Sequence, residues 1–539
     1  MRKIIYLLFF LSPTLSVAQK NTLTPIVANS QTAVTQTEQG QIRGFIHKNT
    51  YIYKGVSYGQ ATRFMPATPP KAWEGIRTAM AYGPVCPTDP IAVNNDELEF
   101  AFDHNWGYSS EDCFRLNIWT PNINDAKKRP VMVWLHGGGF AAGSSQELPS
   151  YDGENLSKKG DVVVVSLNHR LNVLGFLDLS SFGEKYKGTA NLGMKDIELA
   201  LRWVKANIAN FGGDPNNVTI FGQSGGGGKV STLMYAPSCK GLFHKGIVQS
   251  GYRDTFLEGE DTQQIGIATL EELGLKPDQV DSLQKVPYLK LLAAGAKALK
   301  KVEAKMRTAG KPIMGFGLSW GPSREGNFLP YQLKDAAAAE IAKDVPMMIG
   351  SLQNEFMASI MNPSLATMDV AAIKAELQKK YGDRTDSYIA AAKKAYPTDA
   401  KPADLIDLDF TFRSATIKLA NLKANVPGAA PTYSYLFAWR SPVLDGKLKS
   451  LHCMELAFCF NNIARCEQMT GGSKEAQLLA DKVSQAWINF ARTGNPNAKG
   501  LPKWDPYTQA KGATMILDNV SQLKYHHDRE LMEVMGLKF

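Results

Sequence analysis

Little in this sequence points to a protein held together by bridges or built across a membrane. Six cysteines in 539 residues are too few for a disulfide scaffold, so the fold must rest on a hydrophobic core. No internal stretch has the length and apolarity of a membrane span. No repeat, low-complexity tract or Pro/Ser-rich linker divides the chain after about residue 40. Nothing resembles a nucleic-acid module, and no Cys/His set has zinc-ligand spacing, so neither nucleic acid nor metal is expected as a partner. The formal net charge of +9 is modest for this length. Its densest basic stretch, Lys285 to Lys311, interleaves lysines with Ala and Leu at helical spacing, which predicts an amphipathic helix with a solvated face.

What is present begins at the amino terminus. Residues 1–18 run from Met-Arg-Lys through an apolar stretch, Ile4 to Leu11, to Ser16-Val17-Ala18. A charged start, a short apolar core and small terminal residues predict a secretory signal peptide, hence a secreted or periplasmic protein. No Cys lies near the cleavage point, which argues against a lipid anchor. Residues 19–40 are expected to be a flexible segment, and 41–539 a single domain. An oxidising compartment permits disulfides. Cys86 and Cys113 would close a loop rich in polar and aromatic residues, while the pairing of Cys239, Cys453, Cys459 and Cys466 stays open.

Strand and helix patterns alternate through the rest of the chain. Val131–Leu135 and Asp161–Ser166 are continuous apolar runs, as expected of strands buried on both faces. Val218–Phe221, Gly246–Gln249 and Val345–Ile349 are shorter candidates. Between them Asp196–Asn210 carries Ile197, Leu201, Val204 and Ile208 on one helical face. Such alternation predicts an α/β fold with a mostly parallel sheet and helices on both sides. The Lys/Ala-rich helical excursion at about 255–345 is read as a cap.

Strand Val218–Phe221 runs directly into Gly222-Gln223-Ser224-Gly225-Gly226, with helical residues after it. Strand, sharp turn and helix make a nucleophile elbow, in which a strained turn presents a serine hydroxyl at the sheet edge. The glycines from Gly225 to Gly228 open that helix at up to ~1 kcal/mol each relative to alanine. A sequence tolerates this where backbones approach closely. Ester hydrolysis also needs donors aimed at the tetrahedral oxyanion. Strand Val131–Leu135 ends in His136-Gly137-Gly138-Gly139-Phe140, a motif of that kind. The predicted donors are the backbone N–H groups of Gly138, Gly139 and Gly225.

With these segments the sequence resembles the type-B carboxylesterases, a family that includes cholinesterases, para-nitrobenzyl esterases and some fungal lipases. Tyr53–Tyr58, Ser110-Glu-Asp-Cys-Phe-Arg-Leu-Asn-Ile-Trp-Thr120, Ala200–Val204, Phe211–Gly222 and Trp487–Pro496 all look like family segments. The resemblance covers nearly the whole chain after the signal. It implies an α/β-hydrolase fold, with a central, mostly parallel mixed sheet flanked by helices, and a Ser-Glu-His triad. It also implies a disulfide between Cys86 and Cys113.

A serine needs a base, usually His, oriented by a carboxylate, and in this fold the order is Ser, acid, His. Downstream of Ser224 stand His244, His452, His526 and His527. His244 follows the elbow too soon for an acid-bearing strand to intervene, and His526 and His527 lie in a charged tail. His452 lies in a segment that resembles the family's His-x-x-Glu. For the acid, Glu355 lies just beyond a strand and matches the family's Gly-x-x-x-x-Glu; Glu325 is the runner-up. His452 would take the Ser224 proton during attack and return it to the leaving alcohol. Water would then hydrolyse the acyl-enzyme while Glu355 stabilises the imidazolium. No metal or organic cofactor is called for.

The chain departs from the family beside the nucleophile. Most relatives carry Glu before it and Ala after it; here stand Gln223 and Gly225. One negative charge fewer predicts a small-molecule ester that is neutral or anionic. Gly225 is expected to free space near the oxyanion donors. Phe356 replaces the usual small residue after the acid, and the family's Pro-Pro-x-Gly stretch is shortened to Gly59-Gln-Ala-Thr-Arg63. Phe140, Gln223, Trp106 and Tyr108 are candidate linings of the substrate gorge. A binding protein on the same fold would lack part of the triad. A lipase or amidase would use the same machinery and is not separated by it.

Overall fold

Along Arg129–Leu135 every side chain is buried, but alternate ones go opposite ways. Val131, Val133 and Leu135 enter one apolar cluster, while Met132 and Trp134 enter another. An alternating run with no polar face is a strand covered on both sides. Val163–Leu167 behaves alike, with Val163, Val165 and Leu167 facing one way and Val164 the other. The computed structural model describes residues 25–89, 95–251, 255–313, 317–399, 401–409 and 411–537. The predicted signal segment, residues 1–18, lies outside them. Within the segment read as flexible, Val34–Gln36 pairs antiparallel with Gln41–Arg43, and Thr35 and Thr37 are buried.

The central sheet has eleven strands. They are β1 (Phe45–His47), β2 (Thr50–Ser57), β3 (Arg115–Thr120), β4 (Arg129–Leu135), β5 (Val163–Leu167) and β6 (Gly213–Gln223). After them come β7 (Lys245–Gln249), β8 (Met347–Leu352), β9 (Thr432–Phe437), β10 (Ala513–Leu517) and β11 (Gln522–Tyr525). Their spatial order is β11-β10-β9-β8-β7-β6-β4-β5-β3-β2-β1. From β5 through β4 to β10 neighbours run parallel, and both edges are antiparallel. The mixed sheet therefore has the parallel centre and mixed margins expected.

Helices cover both faces. On one side α1 (Leu192–Asn207) buries Ile197, Leu201 and Val204, and Ile208 follows in a short 3-10 turn. On the other, the carboxy-terminal helix Lys474–Thr493 buries Leu479, Val483, Trp487 and Phe490. Helix α2 (Gly225–Met234) follows β6 directly. In the region read as a cap, α3 (Gly259–Glu272) and α4 (Tyr288–Thr308) pack on each other. Helix α4 buries Leu291, Leu292 and Leu299 and exposes Lys297, Lys300, Lys301 and Lys305, the solvated face that its periodicity predicts. The parallel strands all end on one edge of the sheet. That is where an α/β sheet places its ligand site, and where β4, β6 and β8 deliver the residues described next.

Candidate active site

Strand β6 stops at Gln223 and α2 starts at Gly225, so one residue makes the whole turn. Ser224 has φ 56° and ψ −125°, a conformation that non-glycine residues rarely adopt and that stores roughly 1–3 kcal/mol. Two backbone bonds hold it. Ser224 N–H donates to Gln249 O at 2.8 Å, and Ser224 O accepts from Gly228 N–H at 3.0 Å. The turn fits because a Cβ at Gly226 would lie 1.9 Å from Leu135 O, inside β4.

Glu355 and His452 meet across the ends of β8 and β9. Glu355 Oε1 accepts from Leu352 N–H at 2.9 Å, and Oε2 accepts from His452 Nδ1. The backbones also join, His452 N–H donating to Glu355 O at 3.1 Å. Glu355 is completely buried and His452 nearly so. With Nδ1–H committed to the carboxylate, Nε2 is the acceptor of the neutral ring. Gln223 Nε2 lies against the ring, 3.2 Å from that atom and 3.3 Å from Nδ1, and Gln223 Oε1 accepts from the Cys453 thiol at 3.1 Å. Gln223 thus ties the residue before Ser224 to the imidazole. Among the described residues, Ser224 Oγ makes no hydrogen bond to His452, a contact that commonly tightens only around substrate. The runner-up acid is elsewhere: Glu325 pairs with Lys195 at 2.9 Å.

Apart from Phe356, sequence reasoning did not single out the further neighbours of this pair. Glu455, one helical turn beyond His452, is fully buried. Burial first, then the Glu355 charge, push its pKa up to about 8. Asp409 is raised to about 8 by the same two causes, although it accepts the backbone N–H groups of Thr411, Phe412 and Arg413. Both are less readily ionised than free carboxylates, and with Gln223 they reduce the negative charge around the imidazole. Phe356 and Phe412 flank the ring, with centroids 4.4 and 5.3 Å from that of His452. Phe356 is 55% exposed. The His-x-x-Glu spacing was the one available signal for Glu455.

The oxyanion segment abuts the elbow, and here one expectation is corrected. Gly225 does not open free space. A Cβ there would lie 2.1 Å from Gly139 O and 2.4 Å from Gly139 Cα. The missing methyl is replaced by the Gly139 backbone, which closes onto the turn. Gly138 and Gly139 both have positive φ, and Gly138 O accepts from Ala142 N–H at 3.0 Å. Phe140 is buried beneath this segment, edge-on to Phe176 at 5.4 Å, so it backs the loop instead of lining an open gorge. Trp106 stacks on His104 at 4.2 Å and borders a cavity of about 400 Å³ with Glu147, Gly143 and Tyr288. Tyr108 is exposed.

The expected Cys86–Cys113 bridge is likewise not formed. Both are buried free thiols, and the Cys113 thiol hydrogen-bonds to Cys86. That bond and burial raise the Cys113 pKa well above the usual thiol range, so the Cys113 thiol is held protonated. Among the described residues no helix is long and apolar enough to cross a membrane, and no group of three potential ligands is placed to hold a metal.

A mixed sheet with a parallel centre, covered on both faces and ending in this elbow, defines an α/β-hydrolase. The chain belongs to the carboxylesterase family: residues 31–534 match the family model. It is 33% identical over 509 residues to the para-nitrobenzyl esterase of Bacillus subtilis (strain 168), covering 92% of this chain and 96% of that protein. It is 31% identical over 507 residues to the phenmedipham hydrolase of Pseudarthrobacter oxydans, covering 90% and 94%. Among solved structures, an esterase from the anaerobe Clostridium hathewayi, described as able to hydrolyse aliphatic aromatic polyesters, superposes with a TM-score of 0.83. It is 36% identical, covering 94% of this chain and 98% of that one. The protein is a carboxylic ester hydrolase.

Proposed function

We propose that this esterase is exported and works through an acyl-enzyme on Ser224, with His452 as base and acid and Glu355 as the orienting carboxylate. The observation that carries the reading is the buried Glu355–His452 pair beside a strained serine turn. Nδ1 is bound to the carboxylate, so Nε2 takes the serine proton as the hydroxyl attacks the ester carbonyl. The imidazolium then returns that proton to the leaving alcohol. Water attacks the acyl-enzyme with the same base, and Glu355 stabilises the imidazolium each time. The donors for the oxyanion are the N–H groups of Gly138, Gly139 and Gly225. Labelling with a fluorophosphonate tests the nucleophile: the parent is expected to label and Ser224→Ala is not. Equal labelling of both would remove Ser224 from the mechanism.

The substrate proposed is a neutral or anionic ester bearing an aryl group. The uncharged Gln223 and the raised pKa values of Glu455 and Asp409 favour such charges. The exposed Phe356 beside Phe412 and His452 supplies an apolar rim on which an aromatic ring stacks. The relative that acts on aliphatic aromatic polyesters makes such compounds sensible first substrates. Phe356→Ser is expected to raise KM for aryl esters several-fold (about 1 kcal/mol) over alkyl esters of equal size; an equal change in both would remove the rim from specificity.

A further inference from the structure

A little over one turn into α2, a lysine is buried with no acid in contact among the described residues. Lys229 is 0% exposed, and its Nζ donates to His136 O at 2.8 Å and Gly137 O at 3.4 Å. The Phe140 ring centroid lies 5.9 Å away. Glu147, Cys86, His136 and His169 are the titratable groups whose fields reach it. The rings of His136 and His169 stack at 5.3 Å, and burial keeps both neutral. Burial likewise brings Lys229 down to about 7. An amine in such surroundings is unfavourable unless its hydrogen bonds are made. Those bonds go to two consecutive carbonyls of the oxyanion segment, the nearer to His136 O, while Gly137 O is shared with His136 Nδ1 at 3.0 Å.

The peptide unit is planar and trans, so its C=O and N–H point in opposite directions. The Gly137 carbonyl shares its peptide with the Gly138 N–H. An amine that draws that carbonyl to one side turns the Gly138 N–H to the other, away from the lysine. A Cβ on Gly137 would lie 3.5 Å from Ser224 Cβ, so this stretch is directly against the nucleophile. We propose that Lys229 is a positioning residue, clamping the His136 and Gly137 carbonyls so that the Gly138 N–H stays aimed at the tetrahedral oxygen. Its proton, when present, also places positive charge behind the donor that the oxyanion meets. The inference rests on the acyl-enzyme reading above.

The test uses the full mature enzyme, an aryl ester, a trifluoromethyl ketone that forms a hemiketal oxyanion on the serine, and the corresponding non-reactive alcohol. Lys229→Met is expected to lower kcat by about tenfold or more while KM stays within about twofold. Ketone affinity is expected to fall in parallel with kcat, and alcohol affinity to hold. Folding is checked by near-UV circular dichroism. If the Met variant does not fold, Lys229→Gln takes its place, with a kcat loss of about threefold or more expected. A folded variant with parental kcat and ketone affinity overturns the role of Lys229 alone. A parent enzyme that the ketone does not inhibit overturns the acyl-enzyme reading as well.

Discussion

The two sides of the site are built on opposite electrostatic terms. Around the imidazole, Gln223 is an uncharged amide, and burial together with the Glu355 charge raises the pKa of Glu455 and of Asp409 to about 8. Behind the oxyanion segment the buried group is an amine, Lys229, which holds backbone carbonyls and meets no acid among the described residues. Negative charge has been thinned around the imidazole, and a positive group stands behind the oxyanion segment. A cationic substrate gains little from that distribution, whereas a neutral or anionic ester does not suffer from it.

The largest way to break this comparison is at the carboxylate itself. Glu355→Gln is expected to lower kcat by about 10³–10⁴ by releasing the His452 tautomer. Glu325→Gln, whose partner is Lys195, should stay within about twofold. Steady-state hydrolysis of a nitrophenyl ester decides between the two acids, and the reverse ranking would reassign the triad. On the oxyanion side, Gly225→Ala must displace the Gly139 backbone. A kcat loss of about tenfold and a stability loss of about 1–3 kcal/mol are expected. Unchanged kinetics and denaturant midpoint would mean that the segment yields freely.

Restoring charge beside the imidazole sharpens the contrast. Gln223→Glu is expected to raise the kcat/KM ratio of a cationic over a matched anionic ester by about three- to tenfold at low salt. No change in the ratio would locate charge selectivity elsewhere. The smallest effect concerns stability. The folded pKa of Glu455, about 8, lies above its ordinary value of 4.5. The folded state therefore binds the extra proton between those pH values. That stabilisation is whole below the unfolded pKa and is lost as pH rises through about 8. Glu455→Gln should flatten the alkaline decline of Tm by about 1–2 °C, read by scanning calorimetry from pH 6 to 9. An unaltered slope would show that another group governs it.

Much of the frame was legible because it depends on local pattern. Runs such as Val131–Leu135 have no polar face, so burial on both sides follows from sequence. An elbow announces itself by a strand, a serine and close-packed glycines. Side-chain partners were less legible, because they depend on which distant segments meet. The bond between Cys453 and Gln223 joins residues 230 positions apart. Lys229 reads as an ordinary helix lysine until α2 is laid beneath the oxyanion segment. Gly225 was read as space because a missing side chain suggests it; the fold filled that space with backbone.

From the sequence alone came the class of sheet, the turn at Ser224, the glycine segment at 137–139 and the ordered candidates Glu355 and His452. The first three follow from short-range sterics and pattern, whereas Glu355 and His452 came from chain order together with the resemblance to the carboxylesterases. Only the tertiary structure placed Glu355 against His452 and left Glu325 with Lys195. It alone raised the pKa values of Glu455 and Asp409 and set Lys229 under the Gly137 carbonyl. Burial and proximity across strand ends govern charge and hydrogen bonding, and neither is a property of any segment by itself.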